Sequence, residues 1–105
     1  FKSVANTNDI PPVTGNYCWT LGPMYETPAE IKYLRSLNGS AVGMSTLPEI
    51  EEAGSLGLNV LTISVLTNFA AGISDQSLTH DEVLINADRS KNKMIKILSG
   101  IIQRI

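Results

Sequence analysis

The sequence predicts an α/β fold with a mainly parallel or mixed sheet. Apolar runs of strand type alternate along the chain with amphipathic runs of helical period. Three capping signatures, at Thr27, Thr46 and Thr79, each open one of the helical runs. The longest apolar run, residues 58–66, is rich in β-branched side chains, as expected of a parallel strand covered on both faces.

Taken in order, residues 1–15 are polar and interrupted, with Asn6, Asn8, Asp9, Pro11, Pro12 and Gly15 reading as a linker or the tail of a preceding helix. Phe1, Val4 and Ala5 suit the last turn of such a helix. The chain begins Phe1-Lys2-Ser3, which suggests a processed or truncated piece of something longer. Residues 16–21 hold Tyr17, Trp19 and Thr20 and predict a short strand, broken by Gly22-Pro23. Thr27-Pro28-Ala29-Glu30 supplies a capping hydroxyl, a proline at the first helical position and a carboxylate three residues after the cap. Ile31, Leu34 and Leu37 follow at helical spacing, and Asn38-Gly39 closes the helix. Residues 40–44 read as a short buried strand.

Thr46-Leu47-Pro48-Glu49 repeats the capping pattern and opens a helix through Ile50, Ala53 and Leu56, ended near Gly57. Residues 58–66 give the third strand, and residues 67–77 a glycine-containing loop. Thr79-His80-Asp81-Glu82 opens the last helix, whose expected apolar face is Val83, Leu84, Ala87, Met94, Ile95, Leu98, Ile101, Ile102 and Ile105. Lys91, Lys93 and Lys96 form its solvated side, and Gly100 weakens it by about 1 kcal/mol relative to alanine. The predicted order is strand, helix, strand, helix, strand, helix. Three strands make a thin sheet with two edges to cover, which again suggests a fragment or a chain that leans on a partner.

Composition narrows the function classes. The chain has 105 residues, enough for one small domain, with hydrophobic residues at 43% and charged residues at 17%, the balance of a globular protein. Eight Lys and Arg against ten Asp and Glu leave a net charge of −2, which argues against a nucleic-acid-binding face. A single cysteine, Cys18, cannot form an internal disulfide, and with a single histidine, His80, it makes a zinc cluster a poor expectation. No apolar run reaches the roughly 18 residues that cross a bilayer, and no leader pattern is visible. The expected compartment is the cytoplasm, with no membrane partner.

In open α/β sheets, ligands bind beyond the carboxyl ends of the strands. Three segments reach that rim: residues 22–27, residues 43–46, and Thr67-Asn68-Phe69 with His80 beyond the loop. Residue type alone leaves two readings open at each. Gly22-Pro23 is also a turn, Glu26 a surface charge complementing a helix dipole, Ser45 an alternative cap, Asn68 a turn former, and His80 a solvated first-turn residue. No Walker loop, dinucleotide fingerprint or Ser-His-Asp triad is present.

Together the rim segments carry a resemblance. Gly22-Pro23-Met24-Tyr25-Glu26-Thr27-Pro28-Ala29-Glu30, then Ala41-Val42-Gly43-Met44-Ser45-Thr46-Leu47-Pro48-Glu49, then Thr67-Asn68 resemble the trimeric class of purine nucleoside phosphorylases. Thr67-Asn68-Phe69-Ala70-Ala71-Gly72-Ile73, followed by Leu78-Thr79-His80, is most similar to the bacterial members. The resemblance runs from about residue 16 to residue 105. It implies the C-terminal part of a single phosphorylase/hydrolase-like three-layer α/β/α domain, and a homotrimer. It also implies the reaction of purine salvage, in which a purine nucleoside and inorganic phosphate give free base and ribose 1-phosphate. No cofactor is implied; phosphate is a co-substrate.

The resemblance implies roles residue by residue. Glu26 would accept hydrogen bonds from N1–H and the 2-amino group of guanine, favouring 6-oxopurines. Asn68 would donate to O6 and accept from N7–H as the base departs. Tyr25 would wall the purine, where many members have phenylalanine. Tyr17, Val42 and Gly43 would line the base pocket, Met44 would sit by the ribose, and Ser45 would bind phosphate beside a helix start. His80 would hydrogen-bond the 5′-hydroxyl. Asn68 and His80 together favour inosine, guanosine and their deoxy forms over methylthioadenosine. The family's glycine-rich phosphate loop and other phosphate ligands have no counterpart in this sequence, so the chain alone is expected to be inactive. Two alternatives stay open: a methylthioadenosine phosphorylase, and a non-catalytic purine-binding or structural fragment.

Overall fold

The computed structural model describes residues 2–8, 10, 13–74 and 79–104. Phe1, Asp9, Pro11, Pro12, residues 75–78 and Ile105, which enter the sequence reading above, lie outside the described residues. The elements are α1 (Lys2–Thr7), β1 (Asn16–Trp19), α2 (Pro28–Ser36), β2 (Gly39–Gly43), α3 (Leu47–Ser55) and α4 (His80–Ile102). They fall into two compact units, Gly15–Leu78, and Phe1–Thr14 with Thr79–Ile105.

The unit Gly15–Leu78 is built on a β-α-β element. β1 and β2 pair in parallel, with Tyr17 opposite Ala41, Cys18 opposite Val42 and Trp19 opposite Gly43. The register shifts between Asn16 and Tyr17. Side chains mend that break: the Asn16 N–H donates to Ser40 Oγ at 3.3 Å, and Asn16 Nδ2 donates to the Asn38 carbonyl at 3.0 Å. α2 crosses between the strands and buries Ile31. Its start is a full capping box, in which Thr27 Oγ1 accepts from the Glu30 N–H at 3.3 Å and the Thr27 N–H donates to Glu30 Oε2 at 2.7 Å. These bonds to Thr27, the backbone one above all, hold the Glu30 carboxyl below the ordinary glutamate value. Asn38, at φ +62°, takes the left-handed residue that ends the helix. Trp19 Nε1 is buried with no hydrogen-bond partner among the described residues.

Two sequence expectations need correction in this unit. Thr46 does not cap α3: its φ is +87° and its side chain makes no cap hydrogen bond. A capping hydroxyl curls over the first turn from extended backbone, and positive φ removes that geometry. α3 instead gains its definition at the other end. The Gly57 N–H donates to the Gly54 carbonyl and the Leu58 N–H to the Ala53 carbonyl, both at 3.0 Å, which is the Schellman pattern. The second correction concerns residues 58–66, which form no strand. β1 and β2 pair with each other, and no described residue offers residues 58–66 a ladder. Leu58 is 60% exposed and Leu66 69%. β-branched composition supplies the capacity to pair, and a strand exists only where a neighbour completes it.

The second unit packs α1 against α4, with Val4, Ala5 and Ile97 buried. Arg104 Nη1 donates to Ser3 Oγ between the two chain ends of the unit. Thr79 Oγ1 caps α4 by accepting from the Glu82 N–H at 3.4 Å. The expected apolar face of α4 is also corrected. The residue it buries is Ile97, absent from that expectation, while Leu84, Ile95, Leu98 and Ile102 are exposed. A helix of 23 residues with apolar groups on two stripes meets a partner of six residues, which covers only one stripe. Lys91, Lys93 and Lys96 are exposed as expected. No helix among the described residues is long and apolar enough to cross a membrane.

Candidate functional site

The parallel pairing of β1 and β2 brings their carboxyl ends side by side, and the polar rim grows from that edge. The Thr20 N–H donates to the Gly43 carbonyl at 3.0 Å, which carries the contact one residue past β1. Tyr17 on β1 reaches across to β2. Its hydroxyl donates to the Ser45 carbonyl at 2.9 Å. Its ring lies over Gly43, where any Cβ would collide with the phenol oxygen. A side chain at position 43 would therefore force the Tyr17 ring to move, and glycine allows its close approach. Val42, opposite Cys18, is half-buried one residue earlier.

The loop after β1 turns at Gly22, whose φ is +67°, and continues through a cis peptide to Pro23. Met44 packs on Gly22, with its sulfur 2.6 Å from where a Cβ would stand. The loop then returns Glu26 to the end of β1. Thr20 Oγ1 donates to Glu26 Oε1 at 2.5 Å, the length of a charge-assisted O–H···O⁻ bond. Glu26 is half-buried, and Tyr25 beside it is 44% exposed. Ser45 Oγ lies 3.3 Å from Thr46 Oγ1 at the start of α3. The left-handed backbone at β-branched Thr46 is strained, costing about 1–3 kcal/mol.

Asn68 is exposed, and its side-chain bonds among the described residues are local: Thr67 Oγ1 donates to Asn68 Oδ1 at 2.7 Å, and Asn68 Nδ2 donates to the Phe69 carbonyl at 3.0 Å. His80 is the first residue of α4, exposed, and belongs to the other unit. The structure thus brings together Tyr17, Gly43 and Ser45, sets Met44 on Gly22, and joins Glu26 to Thr20. Asn68 is bonded to its chain neighbours. Thr20 is the site residue that sequence reasoning missed, because a threonine at a strand end reads only as a strand former.

The end of the strand pair offers a half-buried carboxylate, a phenol ring and two hydroxyls at Ser45 and Thr46, and the Asn68 amide stands on a separate segment. Such groups read the hydrogen-bonding edge of a planar heterocycle and hold an anion. Among the described residues, no group of three or more His, Cys, Asp and Glu side chains is placed to hold a metal ion.

Known proteins share this chain's sequence and fold. The model of the Phosphorylase superfamily matches residues 1–103. Purine nucleoside phosphorylase 1 of Geobacillus stearothermophilus is 44% identical over 104 residues, which is 99% of this chain and 38% of that protein. Purine nucleoside phosphorylase of Mycobacterium tuberculosis is 41% identical over 103 residues, again 38% of its length. A crystal structure of Schistosoma purine nucleoside phosphorylase in complex with hypoxanthine superposes with a TM-score of 0.90 at 33% identity, covering 98% of this chain and 38% of that one. The chain therefore spans about two-fifths of the length of the relatives it matches. Its fold is that of the α/β phosphorylases, and by sequence over nearly its whole length the chain belongs to the phosphorylase superfamily.

Proposed function

We propose that the protein carrying this chain is a purine nucleoside phosphorylase and that this chain supplies the base-binding side of its site. The observation that carries the reading is the half-buried Glu26 carboxylate at the carboxyl end of a parallel strand pair, in a chain similar along its length to purine nucleoside phosphorylases. In the reaction, phosphate oxygen bonds to the ribose anomeric carbon as the bond from that carbon to the purine nitrogen breaks. The bonding electrons leave with the base, which takes up a proton. A group that meets that charge only as it develops raises the rate.

Glu26, acceptor-only when ionised, takes N1–H and, for guanine, the 2-amino group. Asn68 donates to O6 and accepts from N7–H. Tyr25 and Tyr17, with Val42 and Gly43, flank the base; Met44 lies by the ribose. Ser45 takes phosphate with the N–H groups that open α3, where no side chain caps the helix. His80 meets the 5′-hydroxyl. The resemblance further supports a cofactor-free homotrimer acting in cytoplasmic purine salvage, with residues 16–105 forming part of one domain.

The substrate class is tested by comparative phosphorolysis with the protein as its gene encodes it. Inosine and guanosine are expected to be cleaved faster than adenosine and methylthioadenosine. Faster cleavage of methylthioadenosine than of inosine contradicts the assignment.

A further inference from the structure

Glu26 sits in a loop, where nothing in helix or sheet fixes its side chain. Thr20 is placed to do so. Its backbone is fixed to β2 through the N–H bond to the Gly43 carbonyl at 3.0 Å. Its hydroxyl has one proton and two acceptors in view, Glu26 Oε1 at 2.5 Å and the Gly43 carbonyl at 3.5 Å. The shorter bond, to an ionised group, takes the proton. Both side chains are partly withdrawn from water, which strengthens the bond.

We propose that Thr20 is a positioning residue for Glu26, setting the carboxylate for recognition of 6-oxopurines; this rests on Glu26 reading the base. The bond uses one of about four lone-pair sites on the carboxylate. The rest can accept N1–H and the 2-amino group. Ionised Glu26 accepts from the N1–H of a 6-oxopurine and has no proton to give to adenine N1. Thr20 thereby sharpens discrimination through Glu26 without touching the base, and couples the loop to the strand that carries Gly43.

The test is steady-state kinetics on the gene-encoded protein with inosine and adenosine. Thr20→Val keeps the side-chain shape and removes the hydroxyl. It is expected to raise KM for inosine about 10-fold, the scale of a lost bond to a charged group, with a much smaller change in kcat. It should also lower the inosine-to-adenosine ratio of kcat/KM. Thr20→Ala should do the same, and Thr20→Ser should restore wild-type values. Glu26→Gln should abolish the preference, and adding Thr20→Val to it should change nothing more. Wild-type KM and selectivity in Thr20→Val and Thr20→Ala, with Glu26→Gln still impaired, would overturn the positioning role and leave the base-reading role standing. Additive losses in the double variant would overturn it too. Unchanged selectivity in Glu26→Gln removes the base-reading role and this proposal with it.

Discussion

Glu26 and Asn68 are held in different ways, and the difference bears on what each can do. Glu26 is tied across six residues to Thr20. Among the described residues, Asn68 is tied to its chain neighbours, with Oδ1 accepting from Thr67 and Nδ2 donating to Phe69. An amide has two donor protons and two acceptor lone pairs, so each end of Asn68 can take one more bond. That is the capacity needed to donate to O6 and accept from N7–H. In the gene-encoded protein, Asn68→Ala is expected to lower kcat for inosine by about 100-fold or more, the scale of a lost transition-state donor at roughly 3 kcal/mol. Single-turnover rates check this, and unchanged turnover contradicts it. Both residues stood out in the sequence because they belong to contiguous motifs. Thr20 did not, because its partnership exists only after the loop from Gly22 brings Glu26 back to the strand end.

At the scale of elements, like capping patterns gave unlike helix starts, and the position of proline explains why. Pro28 directly follows Thr27 and pushes it into extended backbone, with ψ of 160°. Pro48 follows Leu47 instead, so nothing forces Thr46 to be extended, and its φ is +87°. The capping box of α2 carries a pH dependence. The Glu30 carboxyl is held below its ordinary value by bonds to Thr27. Its contribution is therefore present above the unfolded glutamate value and lost as pH falls through the lower, folded one. The melting-temperature gap between wild type and Glu30→Gln should close on acidification through that range; a gap independent of pH contradicts the box.

Gly100 illustrates the reverse of a propensity argument. A Cβ there would stand 2.7 Å from Val4 Cγ1 of α1. Gly100→Ala should therefore destabilise the protein by about 1–3 kcal/mol through overpacking, although alanine is the better helix former by about 1 kcal/mol. Chemical denaturation measures the sign, and a stabilised variant contradicts the packing of α1 on α4. Helix starts and the β-α-β order were legible from hydroxyl, proline and glycine positions. The burial of Ile97 was not, because α4 is apolar on more than one stripe and the sequence does not say which stripe α1 covers.

For the molecule as a whole, the alternation of strand-like and helical runs identified the α/β class, and the rim motifs identified the superfamily. What was not legible was whether residues 58–66 would find a partner strand. Their β-branched pattern is a local property, whereas a ladder depends on another stretch of backbone alongside. The same holds for Leu84, Ile95, Leu98 and Ile102, whose exposure depends on what packs beside α4. The chain spans 38% of relatives such as the Geobacillus stearothermophilus enzyme, and its proposed part is the base-reading side of a phosphorolytic site. The most direct test is release of hypoxanthine from inosine by the gene-encoded protein, followed with and without inorganic phosphate. Release is expected only with phosphate, with one ribose 1-phosphate formed per hypoxanthine. Release at the same rate without phosphate, yielding free ribose, would contradict it, as would no release under either condition.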